Sequence, residues 1–181
     1  IIAGGVGSFE PRKLAVKEAE KFEEKYLFYA VRDKEKFKNK TISIFGGGDS
    51  ALDWALELSK FSNVNLIHRR DEFRGAPHTL SEIKKLEKKG KISIKTPCQL
   101  ESIEGKDTIN SIKVKFDDGR IEKIKTDVVL SFFGLIMKLG PIAEWGLNMN
   151  KKTIEVNSKN FETNKKGIFA AGDICSYPGK L

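Results

Sequence analysis

The chain has 181 residues, 39% of them hydrophobic and 32% charged, with a formal net charge of +8. This composition predicts a soluble globular protein with one main core and room for a smaller lobe. Its lysines are spread along predicted helices and hairpins without a stacking platform of aromatics, which argues against nucleic-acid binding. Because we find neither a membrane-length apolar run nor a signal-peptide pattern, we expect a cytoplasmic protein with no membrane partner.

The two cysteines, Cys98 and Cys175, lie far apart in the sequence. Their spacing matches neither a disulfide framework nor a metal site. We therefore expect two buried, inert thiols in a reducing compartment, and no metal ligands.

Both ends of the chain carry strand-like patterns. The chain opens on Ile1-Ile2-Ala3-Gly4-Gly5, which is typical of the end of a strand. It closes shortly after Gly167-Ile168-Phe169-Ala170-Ala171-Gly172-Asp173, which is typical of a buried strand followed by a turn. We expect the chain to be a piece of a larger protein, with flanking strands from a neighbouring domain.

A glycine turn between a strand and a helix is the first motif that points to chemistry. Thr41–Phe45 is typical of a buried parallel strand, and the apolar spacing from Asp49 to Lys60 predicts a helix packed on a sheet. The turn that joins them contains Gly46, Gly47, Gly48, Asp49, Ser50 and Ala51. Small residues there permit a tight turn and the approach of backbone N–H groups to a pyrophosphate at the helix N-terminus.

A basic cluster follows the second predicted strand, Val64–Ile67. This cluster consists of His68, Arg69, Arg70 and Arg74. In a dinucleotide-binding βαβ unit, the residue at this strand tip contacts the adenosine ribose, and arginines there suit a 2′-phosphate. A glycine turn alone also occurs in methyltransferases, and a basic run alone is usually a solvated face. Together, at this spacing, they predict a site that prefers NADP(H) over NAD(H), with His68 either contacting the nucleotide or only capping the strand.

The remaining elements complete a sheet with an insertion. Thr79 and Glu82 form a possible capping box for a helix that runs to Lys89, with Gly90 as its stop. The next strands are Ile92–Lys95, then Ile112–Phe116 and Arg120–Lys125 around an Asp-Asp-Gly turn, then the apolar run from Asp127 to Phe133, which ends at Gly134. The predicted fold is α/β: a Rossmann-like parallel sheet with helices on both faces and an inserted antiparallel meander.

Three ordered motifs resemble the pyridine-nucleotide domain of thioredoxin-reductase-like flavoproteins. They are the glycine turn, the run from His68 to Arg74, and the run from Gly167 to Asp173. The resemblance covers essentially the whole chain. It implies an NADPH-binding domain at residues 15–158, a crossing segment from an FAD domain at 1–14 and a return segment at 159–181.

One departure from that family bears on the subfamily. Tyr29 and Arg32 stand where thioredoxin reductases carry a Cys-x-x-Cys dithiol. Without a dithiol, electrons cannot pass from flavin to a disulfide in thioredoxin. Tyr29-Ala30-Val31-Arg32-Asp33 and Tyr177-Pro178-Gly179-Lys180 instead resemble the thioredoxin-reductase-like ferredoxin–NADP⁺ reductases. Tyr29 and Arg32 either face the flavin or only fill the place of the dithiol.

The resemblance implies hydride transfer between NADPH and FAD, followed by electron exchange with ferredoxin or flavodoxin. It places the glycine turn on the pyrophosphate, the arginines on the 2′-phosphate, Phe133 and Gly134 along the nicotinamide, and Asp173 on FAD, although Asp173 also suits a turn. No side chain is required as an acid or a base.

Three further expectations concern the chain and its parent. The isolated chain binds NADP(H) without turnover, and only the full-length parent holds FAD. The parent is a homodimer and the isolated chain a monomer. The alternative is a related flavoprotein with another electron acceptor.

Overall fold

The computed structural model describes residues 1–5 and 7–180. The strands are β1 (Ser8–Pro11), β2 (Leu27–Phe28), β3 (Thr41–Phe45), β4 (Asn63–Ile67), β5 (Ile92–Lys95), β6 (Cys98–Glu104), β7 (Ser111–Phe116), β8 (Ile121–Lys125), β9 (Val128–Ser131), β10 (Leu135–Lys138), β11 (Met149–Asn150), β12 (Thr153–Glu155) and β13 (Cys175–Ser176). The α-helices are α1 (Asp49–Leu58) and α2 (Pro77–Lys88), and short 3-10 helices cover Glu20–Phe22, Lys34–Phe37, Gly140–Glu144 and Gly172–Ile174. None of the helices in this described part is both long and apolar enough to cross a membrane.

The chain divides into two compact units. One is Lys13–Phe133, and the other combines Ile1–Arg12 with Gly134–Leu181. The nucleotide domain predicted at 15–158 therefore extends beyond the first unit, because β11 and β12 lie in the second. Which cofactor each unit binds stays a prediction.

The first unit contains a five-stranded parallel sheet in the order β2-β9-β3-β4-β5. The chain moves from β3 to β4 and β5 on one side, and β9 and β2 add on the other side. The strand order thus reverses at β3, and ligands of such sheets bind outside the carboxyl ends of the strands at this point. Phe45 ends β3, and its carbonyl accepts a hydrogen bond from the Phe132 N–H at 2.7 Å. The loops after β3 and β9 therefore begin side by side.

The two faces of this sheet are covered differently. Both α-helices pack on one face, where Leu52, Ala55 and Ile83 are fully buried against β3 and β4. The antiparallel meander β6-β7-β8 covers the other face through residues such as Ile112 and Val114, where the sequence predicted further helices. The α/β class, the parallel sheet and the inserted meander are confirmed. The meander takes the place of helices on that face because it follows β5 directly and buries its own apolar side chains there.

The start of α2 corrects one prediction. The helix begins at Pro77, and no side chain caps it. Thr79 lies inside the first turn, so the capping box with Glu82 is wrong. Proline suits the first helical position because its φ is already helical and its missing N–H would have no partner there. The predicted stop is confirmed, since Gly90 follows the helix with a φ of +70°.

The second unit is built from short strands. β1 pairs antiparallel with β10, and β12 pairs with both β11 and β13. The segments near the two chain ends form an isolated parallel bridge between Ile2 and Ala170. Ile154, Ala170 and Ile174 are fully buried in its core.

Candidate functional site

The glycine turn joins β3 to α1 at the point where the strand order reverses. A Cβ atom on Gly46 would lie 2.8 Å from the Cβ atom of Ala51 and 2.8 Å from the carbonyl oxygen of Phe132. Larger residues at 46 or 51 would therefore force the helix away from the sheet. Gly48 faces open space and precedes a helix that no side chain caps. The first backbone N–H groups of α1 therefore have no capping side chain as acceptor, and a bound anion could accept their hydrogen bonds.

Gly47 makes a different contact, with the ring of His68. A Cβ atom on Gly47 would lie 2.3 Å from His68 Cε1 and Nε2. The imidazole also stacks on Phe73, with ring centroids 5.3 Å apart and an interplanar angle of 28°. Its Nε2 atom is buried, and within residues 1–5 and 7–180 it has no hydrogen-bond partner. His68 therefore packs against the turn beside β4.

The electrostatic surroundings of His68 favour its neutral form. Burial lowers the pKa of the imidazole, and the positive charges of Arg69, Arg70 and Arg74 lower it further. A proton on the ring would add a cation beside three others in a partly buried position.

The three arginines lie on the exposed segment after β4. Arg69, Arg70 and Arg74 are all exposed, and none forms an ion pair in the part of the chain that the structure describes. The backbone N–H of Arg74 donates to the carbonyl oxygen of Gly47 at 2.7 Å. The segment that carries the arginines and the glycine turn, about twenty residues apart in sequence, thus meet at one edge of the sheet.

Asp49 and Ser50 occupy the first turn of α1, and both are exposed. The Asp49 carboxylate accepts a hydrogen bond from the Ala76 N–H at 2.9 Å. Its side chain is therefore directed to the segment that carries the arginines, and only its backbone is left for the predicted pyrophosphate contact.

A pocket of about 150 Å³ opens on the meander side of the same sheet edge. It is lined by Ala15, Val16, Phe45, Ile67, Arg69, Cys98, Gln99, Leu100 and Phe133. Phe133 is 42% exposed, and its ring meets that of Phe45 edge-on at 6.5 Å. A cavity of about this size holds a benzene-sized ring. Phe133 and Arg69, predicted to contact opposite ends of a nucleotide, line the same pocket.

Gly134 and Asp173 belong to the second unit. Gly134 accepts a hydrogen bond from the Arg12 N–H at 3.0 Å. Asp173 is exposed in the short helix Gly172–Ile174. Their predicted roles at the nicotinamide and at FAD stay predictions.

One of the two residues in the place of the dithiol, Tyr29, has structural partners. The Tyr29 hydroxyl donates to the Glu23 carboxylate at 3.0 Å and accepts from the Leu14 N–H at 3.3 Å. Arg32 is exposed. The two alternatives for Tyr29 and Arg32 stay open, because neither contact bears on where a flavin would lie.

Both cysteines are free and buried, as predicted. Burial raises the pKa of the Cys98 thiol to about 11. The Cys98 thiol donates to the Lys95 carbonyl oxygen, with an Sγ–O distance of 3.5 Å, and the Cys175 thiol donates to the Gly172 carbonyl oxygen, with an Sγ–O distance of 3.3 Å. A protonated thiol is a poor nucleophile, so burial holds Cys98 in its less reactive form near neutral pH.

Sequence reasoning missed several residues of the site. Phe73, Phe45 and Ile67 were not assigned to it, and neither was the contact from Asp49 to Ala76. One signal was available: Phe45 and Ile67 end neighbouring parallel strands and are register partners. Equivalent positions at adjacent strand ends point to the same edge and face.

Comparison with known proteins places this geometry in a family. The family model described as pyridine nucleotide-disulphide oxidoreductase matches residues 1–181. Curated relatives include ferredoxin–NADP reductases from Pelagibacter ubique, 65% identical over 181 residues, and Orientia tsutsugamushi strain Ikeda, 48% identical over 183 residues. All of this chain is covered in both comparisons, but only 54% of each relative. The chain thus spans about half the length of these curated relatives.

The fold of this chain is also similar to that of two thioredoxin reductases of known structure. Thioredoxin reductase from Lactococcus lactis superposes with a TM-score of 0.78 at 28% identity, covering 96% of this chain and 57% of that one. Thioredoxin reductase from T. acidophilum superposes with a TM-score of 0.81 at 27% identity, covering 93% of this chain and 56% of that one.

Proposed function

Because the chain belongs to the pyridine nucleotide-disulphide oxidoreductase family, we propose that it supplies the NADP(H) site of a flavin-dependent reductase. One observation carries the proposal. The segment that carries three arginines without ion pairs among the described residues is joined by the Arg74 N–H to the glycine turn, beside the uncapped N-terminus of α1, where the strand order of a parallel sheet reverses. The helix end suits the pyrophosphate, and the arginines suit the 2′-phosphate.

The arginines account for the preference between the two nicotinamide cofactors. NAD(H) has a free 2′-hydroxyl, which an acidic residue at the tip of β4 would bind. Arg69, Arg70 and Arg74 offer only donors and positive charge at this tip. They attract the phosphate of NADP(H), and none of the three can accept a hydrogen bond from the 2′-hydroxyl of NAD(H).

The full-length protein, on this proposal, passes electrons between NADPH and ferredoxin or flavodoxin through FAD. The names of the curated relatives support this acceptor, and the absence of a Cys-x-x-Cys motif from the sequence argues against thioredoxin. The bound cofactors supply hydride transfer from nicotinamide to flavin, and the chain's own residues position the nucleotide. The 181-residue chain alone binds NADP(H) without turnover and does not hold FAD tightly.

Calorimetric titration of this chain with NADP⁺ and NAD⁺ at low salt tests the nucleotide site. The wild-type chain is expected to prefer NADP⁺ at least about tenfold, because hydrogen bonds to charged groups contribute about 1.5–3 kcal/mol each. Replacing Arg69 and Arg70 together with alanine should weaken NADP⁺ binding by about tenfold or more and change NAD⁺ binding by less than about twofold.

A matched control removes the same charge elsewhere. Lys88 and Lys89, both exposed at the far end of α2, are replaced together with alanine. This variant should keep the cofactor preference of the wild type. Equal losses for NADP⁺ and NAD⁺ in the arginine variant, or an equal loss of preference in the lysine variant, would contradict direct binding of the 2′-phosphate.

The proposed electron acceptor is tested with the full-length protein. NADPH-dependent reduction of ferredoxin or flavodoxin, followed by absorbance, should be faster than reduction of a quinone or a small disulfide. Turnover with another acceptor but none with ferredoxin or flavodoxin would favour the alternative flavoprotein.

A further inference from the structure

The segment that carries the arginines, residues 69–76, is a loop between β4 and α2. Two of its backbone N–H groups donate hydrogen bonds to the glycine turn and to the helix after it. The Arg74 N–H donates to Gly47, and the Ala76 N–H donates to Asp49 Oδ1. We refer to residues 69–76 as the arginine loop.

The second hydrogen bond is unusual in its partner. Asp49 is the first residue of α1, one position after the N-cap Gly48, where an acidic side chain is favoured by the positive end of the helix dipole. Here the carboxylate instead reaches a residue 27 positions later in the chain, at 2.9 Å.

Close packing accompanies this hydrogen bond. A Cβ atom on Gly75 would lie 2.2 Å from Leu52 Cδ1 and 3.1 Å from Asp49 Oδ1. The backbone of the arginine loop therefore lies directly on the first turn of α1. Since the loop has no ladder of its own, these contacts fix the backbone from which the arginines project.

We propose that Asp49 is a positioning residue for cofactor specificity: its carboxylate holds the arginine loop on α1 and so sets the preference for NADP(H) over NAD(H). This inference rests on the proposed function. The positioning role also explains why the Asp49 carboxylate lies beside a proposed phosphate site, where a negative charge by itself disfavours phosphate binding. A loop held in place in advance loses less conformational freedom when it binds. Only NADP(H) benefits, because only its 2′-phosphate contacts the arginines.

The hydrogen bond can be removed from either side. Asp49→Ala removes the acceptor. Ala76→Pro removes the donor, and the observed Ala76 backbone, with φ −55° and ψ 133°, is compatible with proline before Pro77. Asp49→Asn keeps an acceptor oxygen but loses the charge. Asp53→Ala is the matched control, because Asp53 is an exposed carboxylate one turn later on the same helix.

The readout is the ratio of the NAD⁺ and NADP⁺ dissociation constants of this chain, measured by calorimetry. Asp49→Ala and Ala76→Pro are each expected to lower this ratio by about fivefold to tenfold, and the double variant should lower it no further. Asp49→Asn and Asp53→Ala should keep the ratio within about twofold of the wild type.

Other results would overturn the inference. An unchanged ratio in Asp49→Ala or Ala76→Pro would show that the hydrogen bond does not position the arginines. An equal loss of the ratio in Asp49→Asn, which keeps an acceptor oxygen for the Ala76 N–H, would show that this hydrogen bond is not what sets the preference. If Asp49→Ala does not fold, judged by far-ultraviolet circular dichroism, Ala76→Pro with Asp49→Asn decides the question. A wild-type chain without any preference for NADP⁺ would instead refute the proposed function, and the positioning role with it.

Discussion

Replacing Gly47 with alanine tests whether His68 packs on the glycine turn. The new Cβ atom would lie 2.3 Å from two atoms of the imidazole and 2.6 Å from a third. Favourable contacts between heavy atoms need about 3.5–4.0 Å, so the ring and the turn must separate by more than about 1 Å. The ring cannot move freely, because it stacks on Phe73 and its Nε2 atom is buried.

The expected loss of stability is that of an overpacked core, about 1–3 kcal/mol. With a urea m-value of about 2 kcal/mol/M, a loss of about 2 kcal/mol lowers the unfolding midpoint by about 1 M. Gly48→Ala is the control, because a Cβ atom there meets nothing within 4 Å. Its effect is limited to the weaker capping preference of alanine, about 1 kcal/mol or less.

Equilibrium urea unfolding followed by Trp54 fluorescence measures the effect. Trp54 lies on α1 and packs, partly buried, against the core on the helix side of the sheet, and Trp145→Phe in every variant leaves it as the single tryptophan. The double variant Gly47→Ala/His68→Ala should be more stable than the sum of the single changes predicts, by about 1–2 kcal/mol. An unchanged midpoint in Gly47→Ala, or strict additivity in the double variant, would refute the packing of His68 on Gly47.

Two further predictions concern stability. The pKa of His68 is lowered by burial and then by Arg69 and Arg70, so as the pH falls below the ordinary imidazole pKa of 6.5 the unfolded chain takes up this proton before the folded chain does. The advantage of the wild type over His68→Gln in unfolding free energy, measured in urea from pH 8 to 5.5, should therefore shrink below about pH 6.5. A difference that stays constant with pH would contradict a depressed pKa. At Gly105, φ is +152° and an added Cβ atom would lie 1.8 Å from the Thr108 carbonyl oxygen. Gly105→Ala should therefore lower the free energy of unfolding by about 3 kcal/mol or more in the same urea assay. An unfolding midpoint within error of the wild type would contradict this backbone geometry.

Much of the first unit could be predicted from local sequence. Thr41–Phe45 and Ile92–Lys95 are strands with the predicted bounds, and the hairpin after β7 turns at the Asp-Asp-Gly triplet. These elements follow from the apolar pattern and from turn residues, which act over a few neighbouring positions. For the same reason, the spacing between the glycine turn and the basic cluster can be recognised from the amino-acid sequence alone.

Prediction was less successful where an element's surroundings decide its structure. The residues Thr79 and Glu82 have the right spacing for a capping box, but Pro77 begins the helix two residues earlier. The meander, and not a second layer of α-helices, covers one face of the sheet. Spacing along the chain does not reveal which apolar surface an element will bury.

The amino-acid sequence by itself therefore determined the strand–turn–helix unit, the arginines at the next strand tip and the missing dithiol, because each is a property of neighbouring residues. The tertiary structure alone decided that His68 fills the space beside Gly47 and that Asp49 accepts from Ala76. These contacts join residues more than twenty positions apart. Their geometry depends on how β3, β4 and α1 pack together, and no local pattern contains that information.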